Sequence, residues 1–114
     1  MEQHKSTAQV RDFVFRVARH QGWEVVGDEP FLEDIVEGLK ENYNRYGYFL
    51  CPCRDGTGDR EKDRDILCPC VYAAEDIAEY GHCFCGLFLS RAFAESGSFP
   101  NQIPERRPEE FRMQ

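Results

Sequence analysis

The chain has 114 residues, and its 14 basic against 21 acidic side chains give a formal net charge of −7. A surface this acidic repels nucleic acid and offers no polybasic patch to a membrane, so we expect neither as a partner. Hydrophobic residues make up 41% of the chain, enough for one modest core, and no apolar run approaches the ~20 residues that span a bilayer. We therefore expect a single domain over residues 1–114, with flexible ends at 1–6 and 109–114. The opening residues lack the apolar core of a secretion signal, which favours a cytoplasmic location.

The first predicted element is an amphipathic helix over residues 7–21. Ser6 or Thr7 can cap its start, and Gly22 can adopt the left-handed conformation that ends it. Its apolar stripe, at spacings of three and four, consists of Val10, Phe13, Val14 and Val17. We expect this stripe to face the core.

A second helix is predicted after a short extended connector at residues 23–26. It begins near Pro30, a residue suited to a first turn, with Asp28 as its candidate cap, and it ends at Gly47. Its apolar face consists of Leu32, Ile35, Val36, Leu39 and Tyr43. Both apolar faces are expected to build core rather than a binding site.

The remaining elements are shorter. Residues 54–65 are charged and punctuated by glycine, which predicts an exposed loop with a helical turn near its end. A short helix is expected over residues 72–80, and residues 87–89 form a short buried segment of undecided type. The proline-rich tail is expected to wrap around the domain or to form a short helix at 108–111. The sequence thus predicts a small, mainly α domain.

All six cysteines occur in pairs separated by one residue, and the pairs are Cys51/Cys53, Cys68/Cys70 and Cys83/Cys85. Four thiolates complete a [4Fe–4S] cluster, one for each iron, and two thiols remain, which is enough for one disulfide. In a reducing compartment such pairs are more often metal ligands or redox catalysts than structural cross-links. This count predicts a domain built around an iron–sulfur cluster that moves electrons onto sulfur.

The first two pairs are Cys-Pro-Cys, and proline makes each of them a rigid, non-helical loop. Such a loop can direct two sulfurs at one object with little loss of chain entropy on binding. Proline also lacks the backbone N–H that could donate to a sulfur, and fewer such bonds tend to lower the potential of a cluster.

Zinc is the main alternative to a cluster. Tetrathiolate zinc sites usually draw ligands from cysteines separated by two to four residues, whereas each pair here is separated by one. Six cysteines also exceed the four that zinc needs, and a plain electron-carrier ferredoxin would likewise leave two unexplained. A secreted domain with three disulfides is a further alternative, but loops as short as these would constrain the unfolded chain little. Spacing alone does not decide which four cysteines are ligands.

The order Cys-Pro-Cys, Cys-Pro-Cys, Cys-x-Cys resembles the catalytic (beta) chain of ferredoxin:thioredoxin reductase. The flanking segments 35–39, 50–54, 87–89 and 103–104 are also similar to that family, so the resemblance covers nearly the whole chain. It implies a fold like that of the beta chain, a [4Fe–4S] cofactor and the reduction of protein disulfides.

Carried over pair by pair, the resemblance implies distinct roles for the six cysteines. The implied cluster ligands are Cys51, Cys68, Cys70 and Cys83. The other two would form the active-site disulfide, with Cys85 next to the cluster and Cys53 exposed to attack the disulfide of the partner. The implied electron donor is ferredoxin or a rubredoxin-like carrier, the implied acceptor is thioredoxin or a glutaredoxin-like protein, and a separate variable subunit is an option within the family.

The chain departs from the family at Phe84, where the plant-type motif has a histidine implicated in proton handling. Disulfide reduction consumes protons, and histidine is the side chain best suited to donate them near neutral pH. Of the three histidines, His82 lies beside the third pair. We therefore predict that His82 is the catalytic proton donor, and the alternative is that it is a polar loop residue beside Gly81.

The net charge bears on the choice of partner. Ferredoxins are typically acidic, so docking needs a local basic surface on this chain. The candidates are Arg54, Arg60, Lys62 and Arg64 in the loop, or Arg11, Arg16 and Arg19 on the first helix. The alternative to an enzyme is a non-catalytic protein-interaction module braced by zinc or by a cluster.

Overall fold

The structure, a computed structural model, describes residues 4–54 and 56–112. Its first helix, α1 (Thr7–Gln21), begins and ends where the sequence predicts. The Ser6 hydroxyl accepts a hydrogen bond from the Gln9 backbone N–H at 3.2 Å, and the Gln9 side chain accepts one from the Ser6 N–H at 2.8 Å. These reciprocal bonds form a capping box. Gly22 ends the helix with a φ of 79°. The expected flexibility of the chain ends stays a prediction, and residues 1–3 and 113–114 lie outside the described range.

Helix α2 (Glu29–Tyr46) also confirms its prediction, with Pro30 in the first turn. The Asp28 carboxylate caps it by accepting from the Phe31 N–H at 3.0 Å, and Gly47 ends it. Its apolar face packs on α1 and on the rest of the main core. The fully or nearly fully buried members of the two helices are Val10, Val14, Ala18, Leu32, Ile35, Val36 and Leu39.

The extended connector and the undecided buried segment turn out to be partners. Strand β1 (Glu24–Val25) pairs antiparallel with strand β2 (Phe88–Leu89), with Val25 opposite Phe88. Phe88 is fully buried, and its ring lies 5.4 Å from that of Trp23. This small sheet joins the helical part of the chain to the third cysteine pair.

The later helices are short. A 3₁₀ turn at Arg64–Ile66 and helix α3 (Ala73–Tyr80), which ends at Gly81, agree with the predictions. Helix α4 (Arg91–Ser96) is missing from the sequence prediction, although Ser90 caps it by accepting from the Phe93 N–H at 3.1 Å. Helix α5 (Glu109–Arg112) follows a wrapping tail, so both expectations for the tail are met. No helix in the described part of the chain is both long and apolar enough to cross a membrane.

The loop at 54–65 differs from its prediction, because it is not simply an exposed segment. Asp63 is fully buried, and its carboxylate accepts hydrogen bonds from the Tyr48 hydroxyl at 2.7 Å, the Thr57 N–H at 2.9 Å and the Gly58 N–H at 3.1 Å. Four donors, counting the Thr57 hydroxyl at 3.1 Å, compensate for the loss of water around this charge. The carboxylate thus organises the loop from inside, above a second core of Tyr48, Leu50, Cys51 and Ile66.

Candidate functional site

The two Cys-Pro-Cys loops are joined by backbone hydrogen bonds. Leu50 and Leu67 form an isolated antiparallel bridge directly before the two pairs. The Cys51 N–H donates to the Ile66 carbonyl at 2.9 Å, and the Cys68 N–H donates to the Phe49 carbonyl at 2.7 Å. Cysteines that are far apart in sequence are therefore held side by side by main-chain contacts rather than by their own side chains.

Helix α2 approaches the first pair very closely. A Cβ at Gly38 would lie 2.8 Å from Pro52 Cβ, which is closer than real Cβ atoms come to a neighbour. Only glycine allows the helix and the Cys-Pro-Cys loop to pack at this distance. Gly38 belongs to the segment of α2 that carries the family resemblance.

The third pair lies in a tight turn that leads into β2. The Cys83 N–H donates to the Phe88 carbonyl at 3.0 Å, and the Gly86 N–H donates back to the Cys83 carbonyl at 2.9 Å. The Phe88 N–H also points at the Cys83 sulfur, 3.4 Å away. Because β2 is anchored to β1, this turn fixes Cys83 and Cys85 relative to the main core.

Five thiols line a single cavity, and they belong to Cys51, Cys68, Cys70, Cys83 and Cys85. The remaining walls are Pro52, Arg54, Pro69, Ala73, Phe84, Leu87 and Phe88. All four cysteines expected to hold a cluster therefore surround one largely apolar space. Four thiols around such a space fit a [4Fe–4S] group, in which each thiolate binds a different iron. No three His, Cys, Asp or Glu side chains among the described residues converge as ligands of a single metal ion.

Cys85 lies between the cavity and the surface. Its sulfur is 3.0 Å from that of Cys51, and hydrogen bonds to Cys51 and Cys53, together with burial, raise the pKa of Cys85 well above its ordinary value. The contact with Cys85 lowers the pKa of Cys51 to about 7, and the nearness of Cys85 also lowers the pKa of Cys53. Cys53 is the exposed member of the six and lies outside the cavity lining. An exposed thiol with a lowered pKa has the character of a nucleophile.

The other cavity thiols are in a different environment. Burial raises the pKa of Cys68 and of Cys70, and it raises the pKa of Cys83 to about 11. Metal ligation requires thiolates, and a bound cation stabilises them where an apolar wall does not. These three thiols therefore suit metal binding better than attack on a partner.

Arg54 is wrongly predicted as part of a docking surface, because its side chain is only 2% exposed. Its guanidinium forms an ion pair with Glu105 at 2.7 Å, donates to the Cys70 sulfur at 3.2 Å and lies 4.3 Å from the centre of the Phe84 ring. Burial opposes its charge, but Glu105 and the neighbouring sulfurs outweigh that effect and raise its pKa. In the sequence, the position of Arg54 directly after Cys-Pro-Cys is the one signal that it lies close to the cysteines.

His82 is buried next to the third pair, outside the lining of the cavity. Its Nε2 accepts from the Asn101 N–H at 3.2 Å, so the proton resides on Nδ1, which donates to the Cys83 carbonyl at 2.7 Å. The ring also meets that of Phe93 edge to face at 5.2 Å. The side chain at the cavity between Cys83 and Cys85 is Phe84.

Comparison with known proteins points to one family. Residues 1–109 match the family described as ferredoxin thioredoxin reductase catalytic beta chain. The chain is 33% identical over 88 residues to the chloroplastic ferredoxin-thioredoxin reductase catalytic chain of Arabidopsis thaliana, an alignment that covers 75% of this chain and 58% of the relative. It is 33% identical over 73 residues to the catalytic chain of Guillardia theta, covering 62% of this chain and 68% of that one. The chloroplastic chain of Spinacia oleracea is 32% identical over 88 residues, covering 75% and 57%.

The match spans nearly the whole chain, and this protein belongs to the ferredoxin thioredoxin reductase catalytic beta chain family. The resemblance drawn from the cysteine pairs is thereby confirmed. The chain aligns with less than two thirds of the length of the Arabidopsis and spinach relatives.

Proposed function

We propose that this chain is a [4Fe–4S]-dependent disulfide reductase that passes single electrons from a ferredoxin-like carrier to a thioredoxin-like protein disulfide. One observation carries the proposal. Cys53 is the exposed cysteine beside Cys51, and the half-buried Cys85, whose sulfur lies 3.0 Å from that of Cys51, lines one cavity with the four other thiols. An exposed thiol next to a sulfur that shares a cavity with four further thiols is the arrangement that this chemistry needs.

The four ligands would be Cys51, Cys68, Cys70 and Cys83. When bound, the cluster would supply electrons one at a time beside a disulfide that needs two. The apolar walls at Ala73, Leu87 and Phe88 would keep water away from it. The protein contribution is to hold the ligands rigidly and to place Cys85 at the cavity wall.

The cysteine outside the cavity performs the exchange with the partner. The Cys53 thiolate attacks one sulfur of the partner disulfide, which forms a mixed disulfide and releases the other partner sulfur as a thiolate. Cys85 then attacks the Cys53 sulfur, so that the Cys53–Cys85 disulfide forms and the second partner thiolate leaves. Two electrons have passed to the partner, and two single-electron deliveries restore the dithiol. A donor near −400 mV acting on a disulfide near −270 mV makes the cycle favourable by about 6 kcal/mol.

The proton donor and the partners stay predictions. For His82 to give up a proton, Nδ1 would have to leave the Cys83 carbonyl, its hydrogen-bond partner. Arg60 and Lys62 are exposed and can serve in docking, in contrast to Arg54. A rubredoxin-like donor, a glutaredoxin-like acceptor, a variable subunit and a cytoplasmic location are likewise proposals.

The visible spectrum and iron content of anaerobically purified protein test the cofactor. We expect broad absorption near 400 nm and about four irons per chain, as a [4Fe–4S] centre requires. Cys68→Ser should lose iron, because it removes a ligand inside the cavity, whereas the matched variant Cys53→Ser should keep it. A colourless protein that binds zinc would support the interaction module instead.

A trapping experiment tests the roles of the two remaining cysteines. Cys85→Ser leaves Cys53 able to attack but removes the thiol that resolves the product, so a covalent complex with a thioredoxin-like partner should accumulate. Cys53→Ser should form no such complex. Non-reducing electrophoresis measures both, and accumulation with Cys53→Ser alone would show that the roles are reversed.

A further inference from the structure

Arg54 is a buried cation that makes one more polar contact than the neutralisation of its charge requires. Its Nε lies 2.9 Å from Glu105 Oε2, and its Nη2 lies 2.7 Å from Glu105 Oε1, so the carboxylate is held by two parallel bonds. A buried charge with such a partner is already compensated. The third nitrogen, Nη1, instead donates to the Cys70 sulfur at 3.2 Å.

An aromatic pair supports the guanidinium. The guanidinium carbon lies 4.3 Å from the centre of the Phe84 ring and 5.3 Å from that of Tyr72. The negative face of an aromatic ring attracts a cation, and the planar guanidinium stacks well on it. A protonated imidazole at position 84 would repel the guanidinium, whereas the phenyl ring attracts it and cannot ionise. Phe84 thus provides a platform that keeps Nη1 directed at Cys70.

We propose that Arg54, held by Glu105 and Phe84, is a positioning residue that orients the Cys70 ligand and raises the reduction potential of the centre it binds. This inference rests on the proposed function. Reduction adds negative charge to the ligand set, and a nearby cation that donates to a ligand sulfur stabilises the reduced form more than the oxidised form. The low dielectric of the cavity strengthens this effect relative to water.

Two variants should move the potential in opposite directions. Arg54→Met removes the cation and the Nη1 donor, so at a fixed applied potential the ratio of reduced to oxidised centre should fall at least tenfold, about 59 mV for one electron. Glu105→Gln keeps the shape and an acceptor oxygen but removes the counter-charge, so the cation is less neutralised and the ratio should rise. Arg64→Met is the matched control, because Arg64 is 73% exposed and pairs with the exposed Glu61. It should leave the ratio unchanged.

The measurement is a spectroelectrochemical titration of the loaded protein, accompanied by iron content and thermal unfolding. If Arg54→Met fails to fold, Phe84→Leu decides the matter, because it removes the ring that holds Nη1 toward Cys70 and leaves every charge in place, so the potential should fall if Arg54 acts through that contact. Unchanged potentials in iron-replete variants, or shifts of the same sign in Arg54→Met and Glu105→Gln, overturn the inference while the disulfide reductase stands. Absence of an iron–sulfur spectrum in the wild type overturns both.

Discussion

The helical part of the molecule and the sulfur-bearing part are held together by different forces. Helices α1 and α2 pack through aliphatic side chains that are fully buried, such as Val14, Val36 and Leu39. Near the cysteines, buried charges with their own partners add to the apolar walls of the cavity, as in the ion pair of Arg54 with Glu105 and in the ring of neutral donors about Asp63. A loop with few apolar residues can become ordered by such contacts only if each buried charge finds its partners.

The tail supplies most of those partners. Three consecutive residues reach three different segments, since Glu105 binds Arg54, Arg106 binds Asp76 at 2.7 Å, and Arg107 binds Asp65 at 2.8 Å. Breaking a buried ion pair by removing one member costs about 3–5 kcal/mol because the other charge stays buried. The ion pairs of the tail therefore stabilise the sulfur-bearing part of the molecule. Ile103, in the same tail, is buried.

The apolar part should respond most strongly to a loss of volume. Leu39 is fully buried on α2, so Leu39→Ala should destabilise the fold by about 2–5 kcal/mol through lost burial and the cavity left behind. Urea unfolding should show a lower midpoint at an unchanged m value. Val71→Ala, at a residue that is 63% exposed, is the control and should change stability by about 0.5 kcal/mol or less. Equal losses in both variants would contradict the assignment of this core.

The polar part should respond to a loss of charge. Asp63→Asn keeps the volume but presents an amide to donors that need an acceptor, so we expect a loss of about 2–3 kcal/mol at pH 7. Burial by itself would raise the pKa of Asp63, but the Thr57 and Gly58 N–H groups and the Tyr48 hydroxyl outweigh it, and the pKa is lowered.

That lowered pKa determines the sign of the pH dependence. The contribution of Asp63 is fully present above the unfolded value of about 3.9 and is lost as the pH falls through the lower folded value. The gap in unfolding free energy between wild type and Asp63→Asn should therefore narrow in acid, measured by urea unfolding at pH 7 and near pH 3. Leu39→Ala changes no titrating group, so its difference in unfolding free energy from wild type should be the same at both pH values. A constant gap for Asp63→Asn would mean that the carboxylate charge does not stabilise the loop.

The same contrast explains what the sequence predicts and what it does not. Helix α1 is predicted to the residue and α2 to within about one residue, because their caps, Ser6 and Asp28, and their apolar spacings are local signals. The loop at 54–65 is mostly exposed and has the predicted turn, but its buried Arg54 and Asp63 are not predicted, because partners such as Glu105, 51 residues from Arg54, lie far along the chain.

The candidate site follows a similar division. The family resemblance names four of the five thiols that line the cavity as cluster ligands, and those roles stay predictions. The position of Arg54 after Cys-Pro-Cys places it near the site, but no local signal predicts its contact with Phe84 or the backbone contacts of His82. Helix α4 escapes prediction because six residues carry too little periodicity, although Ser90 and Gly97 mark its ends.

The two parts meet at Gly38, and a single methyl group there should affect both. In an exposed helix Ala is favoured over Gly by about 1 kcal/mol, but here the new Cβ would lie 2.8 Å from Pro52 Cβ, within a ring that cannot rotate away. Overpacking of this kind costs about 1–3 kcal/mol, so Gly38→Ala should lower stability by about 1 kcal/mol overall. Because Pro52 must shift and Cys51 and Cys53 flank it, iron content should fall as well. Gly27→Ala is the control, since a Cβ there meets no atom within 4 Å. If Gly38→Ala loses stability in urea but keeps full iron, the strain at Pro52 does not reach the sulfurs of Cys51 and Cys53. The first cysteine pair would then keep its geometry independently of its packing against α2.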